Sequence, residues 1–117
     1  TTCTGMRVTG RANVVLKDVD VVGCRLNGIK VIGSGTNVEL VDFSSNNNGN
    51  DGLMAVDGAS VTLRGSFTAK FNKWFGINVW NDARVMKAHD LDLTLEWNTG
   101  GDEHVAGGGE IVTLSPP

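Results

Sequence analysis

The sequence holds no tyrosine, only two prolines and only two cysteines in 117 residues. Both prolines, Pro116 and Pro117, stand at the very end, so no interior proline interrupts strand pairing. Cys3 and Cys24 allow one disulfide at most and match no metal-binding spacing. An oxidised pair and two small buried thiols both remain open readings. No apolar run approaches the roughly 18 residues of a membrane-spanning helix. The net charge is −3 and the Lys and Arg residues are scattered. Without a basic stripe to neutralise phosphates, nucleic acid is not an expected partner. The chain opens on Thr1-Thr2-Cys3 rather than Met. That start is read as a processed mature form or a piece of a longer chain; a removed targeting segment would fit export or secretion and equally import into an organelle, so the compartment is unknown.

What is present is glycine, 16 residues of it, with many valines. The mixture predicts short strands joined by tight turns. A hydrophobic share of 40% with 20% charged residues is that of an ordered globular chain. The length suits one domain spanning residues 1–117.

Self-similarity decides the fold class. A glycine followed by alternating apolar residues recurs as Gly5-Met6-Arg7-Val8, Gly28-Ile29-Lys30-Val31, Gly52-Leu53-Met54-Ala55 and Gly76-Ile77-Asn78-Val79. The next step of about 24 residues lands on Gly100. A second column holds Val14, Val38, Val61, Val85 and Val112, and a third pairs Val19 with Val21, Phe43 with Ser45, Phe67 with Ala69, and Leu91 with Leu93. Within each column apolar residues sit two apart, the period of a strand with one buried face. Three such strands per repeat, with no helical pattern between them, predict an all-β right-handed parallel β-helix of four to five coils. Regular coils are expected over about 5–99, with an irregular last coil over about 100–117 that carries extra residues before Val112. Four residues ahead of each glycine stand Cys24, Asn48, Asn72 and Glu96, so Asn48 over Asn72 predicts a two-rung side-chain ladder.

The glycine beats, the turns Asn48-Gly49-Asn50-Asp51-Gly52 and Asn72-Lys73-Trp74-Phe75-Gly76, and the strand Gly58-Ala59-Ser60-Val61-Thr62-Leu63 resemble the repeats of the pectate-lyase-like superfamily. The resemblance covers about residues 5–114. It implies the β-helix fold and, among the superfamily's activities, polysaccharide lyase or epimerase chemistry. Lyases of this kind hold calcium with clustered acids and remove a proton with a basic residue.

Two groups bear on that chemistry. Asp18, Asp42, Ser66 and Asp90 fall in one file, where spaced carboxylates would take Ca²⁺ through oxygen ligands. The same short acids also suit turn geometry. Lys87, His89 and Asp90 form the best local acid–base cluster, since His titrates near neutrality and an adjacent Asp can orient it. Lys87, however, stands in a slot filled by Leu in other coils. His104 sits in the Gly-rich stretch after Gly100, which reads as a loop. No nucleophile, base and orienting group can be assigned together, so a non-catalytic module is the stronger expectation, with no resident cofactor.

Residues between the inward pairs point outward. On the first face these include Ile32, Met54, Val56 and Trp80, with Trp74 in a nearby turn. A vertical apolar cluster with tryptophan marks a contact surface. An open β-helix also exposes strand edges at its ends. Residues 1–4 are too few for a capping helix, and Ser115-Pro116-Pro117 offers no lid. The expectation is a structural or accessory subunit docked on other protein subunits of a larger assembly. The rival is a secreted protein that binds or acts on polysaccharide.

Overall fold

The computed structural model describes residues 4–117, and all its regular elements are strands. They are β1 (Met6–Val8), β2 (Asn13–Val22), β3 (Ile29–Ile32), β4 (Asn37–Asn46), β5 (Leu53–Val56), β6 (Ser60–Lys70), β7 (Phe75–Trp80), β8 (Arg84–Lys87), β9 (Asp92–Glu96), β10 (Gly101–Ala106) and β11 (Glu110–Thr113). One sheet runs β1-β3-β5-β7-β10 and the second runs β11-β8-β6-β4-β2, with β9 also beside β6. Every pairing is parallel and joins a strand to its equivalent one repeat away. The chain is a parallel β-solenoid of about four turns of roughly 24 residues.

The second and third columns run on as one strand in the first three coils. Each of those strands bends where a residue takes a left-handed conformation, at Asp18 (φ 56°), Asp42 (φ 53°) and Gly65 (φ 69°). Short polar residues and glycine tolerate that conformation best. The bend turns the apolar alternation of Val14 and Leu16 into that of Val19 and Val21 without leaving the sheet. Only in the fourth coil do the two columns separate, as β8 and β9.

That separation moves the register. Leu63 pairs with Lys87, but Phe67 pairs with Leu93 and Ala69 with Leu95. Two extra residues have entered in the turn at 88–91. All later pairings keep the offset: Ile77 pairs with Glu103, and Val85 with Ile111. The expected third-column pair Leu91 and Leu93 is therefore Leu93 and Leu95. The inner row ends on Ile111 rather than Val112, and the extra residues lie at 88–91 rather than between Gly100 and Val112.

The core is the stack of these inward rows. Ile29, Leu53 and Ile77 are fully buried, as are Leu40 and Leu63, while Phe43 lies on Phe67 with rings 6.2 Å apart and nearly parallel. The recurring glycine is explained by space, not by φ. A Cβ on Gly28 would come 1.9 Å from Ser45 Oγ, and one on Gly52 would come 2.9 Å from Ala69 Cβ.

Candidate functional site

The turn between the third column and the first sheet carries most of the molecule's polar organisation. Asn72 Nδ2 donates to Asn98 Oδ1 (2.8 Å), Asn48 Nδ2 donates to Asn72 Oδ1 (2.9 Å), and the Cys24 amide donates to Asn48 Oδ1 (3.0 Å). The ladder has three rungs, and its upper one is Asn98 instead of Glu96, again because of the two extra residues. All three Asn are buried. Their remaining donors reach Ser45 Oγ, the Ser45 carbonyl and the Ala69 carbonyl, so the inside of the turn is fully bonded. Cys24 is half-buried at the ladder's foot. Cys3 lies outside the described residues, and the Cys3–Cys24 pairing with it.

The acid–base cluster is not brought together. Lys87 points inward and its Nζ pairs with the carboxylate of Glu103. His89 and Asp90 are exposed in the 88–91 turn, where His89 borders a shallow groove with Arg64 and Leu114. Of the acidic file, Asp18 and Asp42 are the bend residues, and Asp42 Oδ1 accepts the Ser66 backbone N–H at 3.1 Å. Asp92, not Asp90, stands in register with Ser66. Among the described residues, no three His, Cys, Asp or Glu side chains converge to hold a metal ion.

The outward apolar face is real but unevenly open. Ile32, Val56 and Trp80 form one file across three strands. Trp80 is 41% exposed, whereas Val56 between its two larger neighbours is only 4% exposed, so it is a covered residue and not part of a bare surface. Ile32 and Met54 are half-buried. Trp74, at the mouth of β7, is exposed.

Two arrangements escaped the reading of the sequence. The first crosses the same sheet. His104, expected in a loop, lies on β10 in register with Asn78. Its Nδ1 is 3.1 Å from Asn78 Oδ1, and Asn78 Nδ2 donates to Asp51 Oδ2 at 3.2 Å. Asp51 Oδ1 accepts the Phe75 N–H, and the Asp51 N–H goes to Asn27 Oδ1. Asp51 is fully buried. Burial pushes its carboxyl above the usual range, against the opposing pull of the Phe75 amide, Asn78, His104 and Lys30. The His104 ring lies on Phe75 at 4.5 Å. Because the Asn78 Nδ2 donates to Asp51, its oxygen faces His104. The neutral imidazole then carries its hydrogen on Nδ1 and leaves Nε2 as the acceptor.

The second is an aromatic corner. Phe71 and Trp97 are 54% and 70% exposed, and their rings stack 6.4 Å apart at 10°. Both are left-handed, with φ of 59°. The same turn position is Gly23 (φ 73°) and Asn47 (φ 58°) in the two coils below. An open groove beside Phe71 is lined by Gly23, Arg25, Asn47, Gly49 and Lys73. The signal in the sequence was the residue just before each member of the Asn ladder, which the 24-residue count reaches but hydrophobic periodicity does not mark.

No family model, curated protein or solved structure matches this chain. Function therefore rests on these surfaces alone.

Proposed function

We propose that this chain is a non-catalytic solenoid module that docks on another protein, as a structural or accessory subunit of a larger assembly. The observation that carries the reading is the exposure of two tryptophans flanking one strand: Trp80 at the end of β7 is 41% exposed and Trp74 just before β7 is 54% exposed. Exposed tryptophan beside the half-buried Ile32 and Met54 of the same sheet marks a surface of the kind that partners cover. The pairing of Lys87 with Glu103 supports the non-catalytic part, because it ties up the basic residue of the best acid–base cluster. The test is native mass spectrometry of complexes isolated from the source cells. Trp80→Ala combined with Trp74→Ala should release the partner while the melting temperature holds, and an unchanged complex would sink the reading.

A second reading, a secreted carbohydrate-binding or carbohydrate-active protein akin to the pectate-lyase-like superfamily, is favoured by the exposed indole faces of Trp74 and Trp97. The stacked Asn turns support the kinship. Calcium-dependent cleavage of a uronate polymer would establish this reading over the first.

A further inference from the structure

We propose that the groove beside Phe71 is a binding site for an extended acidic peptide segment, with the Phe71 ring, backed by its stacking on Trp97, meeting an apolar side chain and Arg25 and Lys73 pairing its carboxylates. The inference rests on the reading that the module docks on a protein, and it names the partner's chemistry at a second surface.

Strain marks the site. The turn position before the Asn ladder demands a left-handed residue in every coil, and Gly23 and Asn47 meet the demand cheaply. Phe71 and Trp97 meet it at a cost, since a bulky side chain is a rare occupant of that region. Neither side chain repays the cost by burial, because both stand mostly in solvent. Strain kept at an exposed position, where glycine or asparagine would fold more easily, points to a role outside folding.

The surroundings select the ligand. Gly23 and Gly49 add no side chains to the groove, and a Cβ on Gly23 would meet nothing within 4 Å. Phe71, Arg25 and Lys73 line the same groove. Arg25 and Lys73 form no ion pair with any described residue, which is equally true of Arg7, Arg11, Lys17, Lys30 and Lys70, but of these seven only Arg25 and Lys73 line the groove. Cations left open beside an aromatic face suit a strand of alternating acidic and apolar residues. In a chain of net charge −3, the described residues that line this groove include two cations and no carboxylate.

The test uses the full chain and a blocked peptide of Asp-Glu-Phe-Asp-Glu as probe, followed by tryptophan fluorescence and calorimetry. Saturable binding is expected, weakening at least tenfold between low and high salt and at least tenfold in R25E/K73E. Phe71→Asn should abolish peptide binding and leave the melting temperature unchanged or raised. A large fall in melting temperature with F71N would overturn the strain argument. Absence of binding at millimolar peptide would overturn the site, as would tighter binding of a polyuronate than of the peptide. If native complexes survive F71N and R25E/K73E but are lost with W80A/W74A, the docking reading stands and this inference fails.

Discussion

Lys87 and Glu103 form an ion pair between two positions that face the inside of the coil, one in register with Leu63 and the other with Ile77. The pair replaces the apolar rows where the solenoid approaches its last strands. Inward charges blunt a sheet edge, because another strand added there would have to bury them. Their side chains are 18% and 32% exposed, so their desolvation is partial. Replacing both, as in K87L/E103I, should stabilise the fold by about 1 kcal/mol and promote association at high concentration. Thermal melts and sedimentation would check this; a variant that stays monomeric at every concentration would refute the guarding role.

The Asn ladder should be far more sensitive. Asn72→Ala removes the acceptor for Asn48 and the donor to Asn98 and Ser45 within a buried turn. A loss of about 2–4 kcal/mol in urea unfolding is expected, since partners are left unsatisfied. Asn37, whose bond to Asn13 is exposed, serves as the control: Asn37→Ala should cost under about 0.5 kcal/mol.

The chain of bonds from Asp51 to His104 has a polarity that one atom can reverse. In Asp51→Asn the new Nδ2 would oppose the Asn78 amide hydrogens. Asn78 should turn over, present its own hydrogens to His104 Nδ1, and drive the ring to the Nε2–H form. Long-range nitrogen–proton NMR reads the tautomer directly. Nδ1–H in both proteins would disprove the relay.

Asp51 should also shape the pH dependence of stability. Burial raises its carboxyl in the folded state above its ordinary value of 3.8, so the folded chain holds a proton that the unfolded chain has lost. The stability from this group is complete below that ordinary value and is lost as pH rises through the raised one. Asp51→Asn should remove that decline and leave the remaining pH profile intact. Melting temperature against pH for the two proteins decides it; parallel curves would show that Asp51 does not titrate as described.

The repeat made the fold legible, because like residues stack on like and a count of 24 finds them. Ile29, Leu53 and Ile77, or Val38, Val61 and Val85, declare their rows without reference to any coordinate. The count failed where the period changed. Nothing in Ala88-His89-Asp90-Leu91 announces two surplus residues, since Leu91 and Leu93 fit the expected slots as well as Leu93 and Leu95 do. The outward face was legible at Trp80 and Trp74 but not at Val56, whose cover comes from neighbours one coil away. Trp97 was legible as a turn residue near that face, but Phe71 and its stacking on Trp97 were hidden for another reason: their shared position is defined by φ, and hydrophobicity carries no trace of it.

The third coil shows how the solenoid absorbs changes in length. The turn before β6 has one residue fewer than the turn before β4, and the irregularity between Val41 and Phe43, opposite Gly65, restores the count. The coil above then meets its neighbour in phase. The turn at 88–91 restores nothing, yet the next coil simply adopts the new circumference, because each coil reads only the one beneath it. A structure with this property can lengthen a corner without disturbing the wall beside it, and so can acquire new recognition loops one turn at a time.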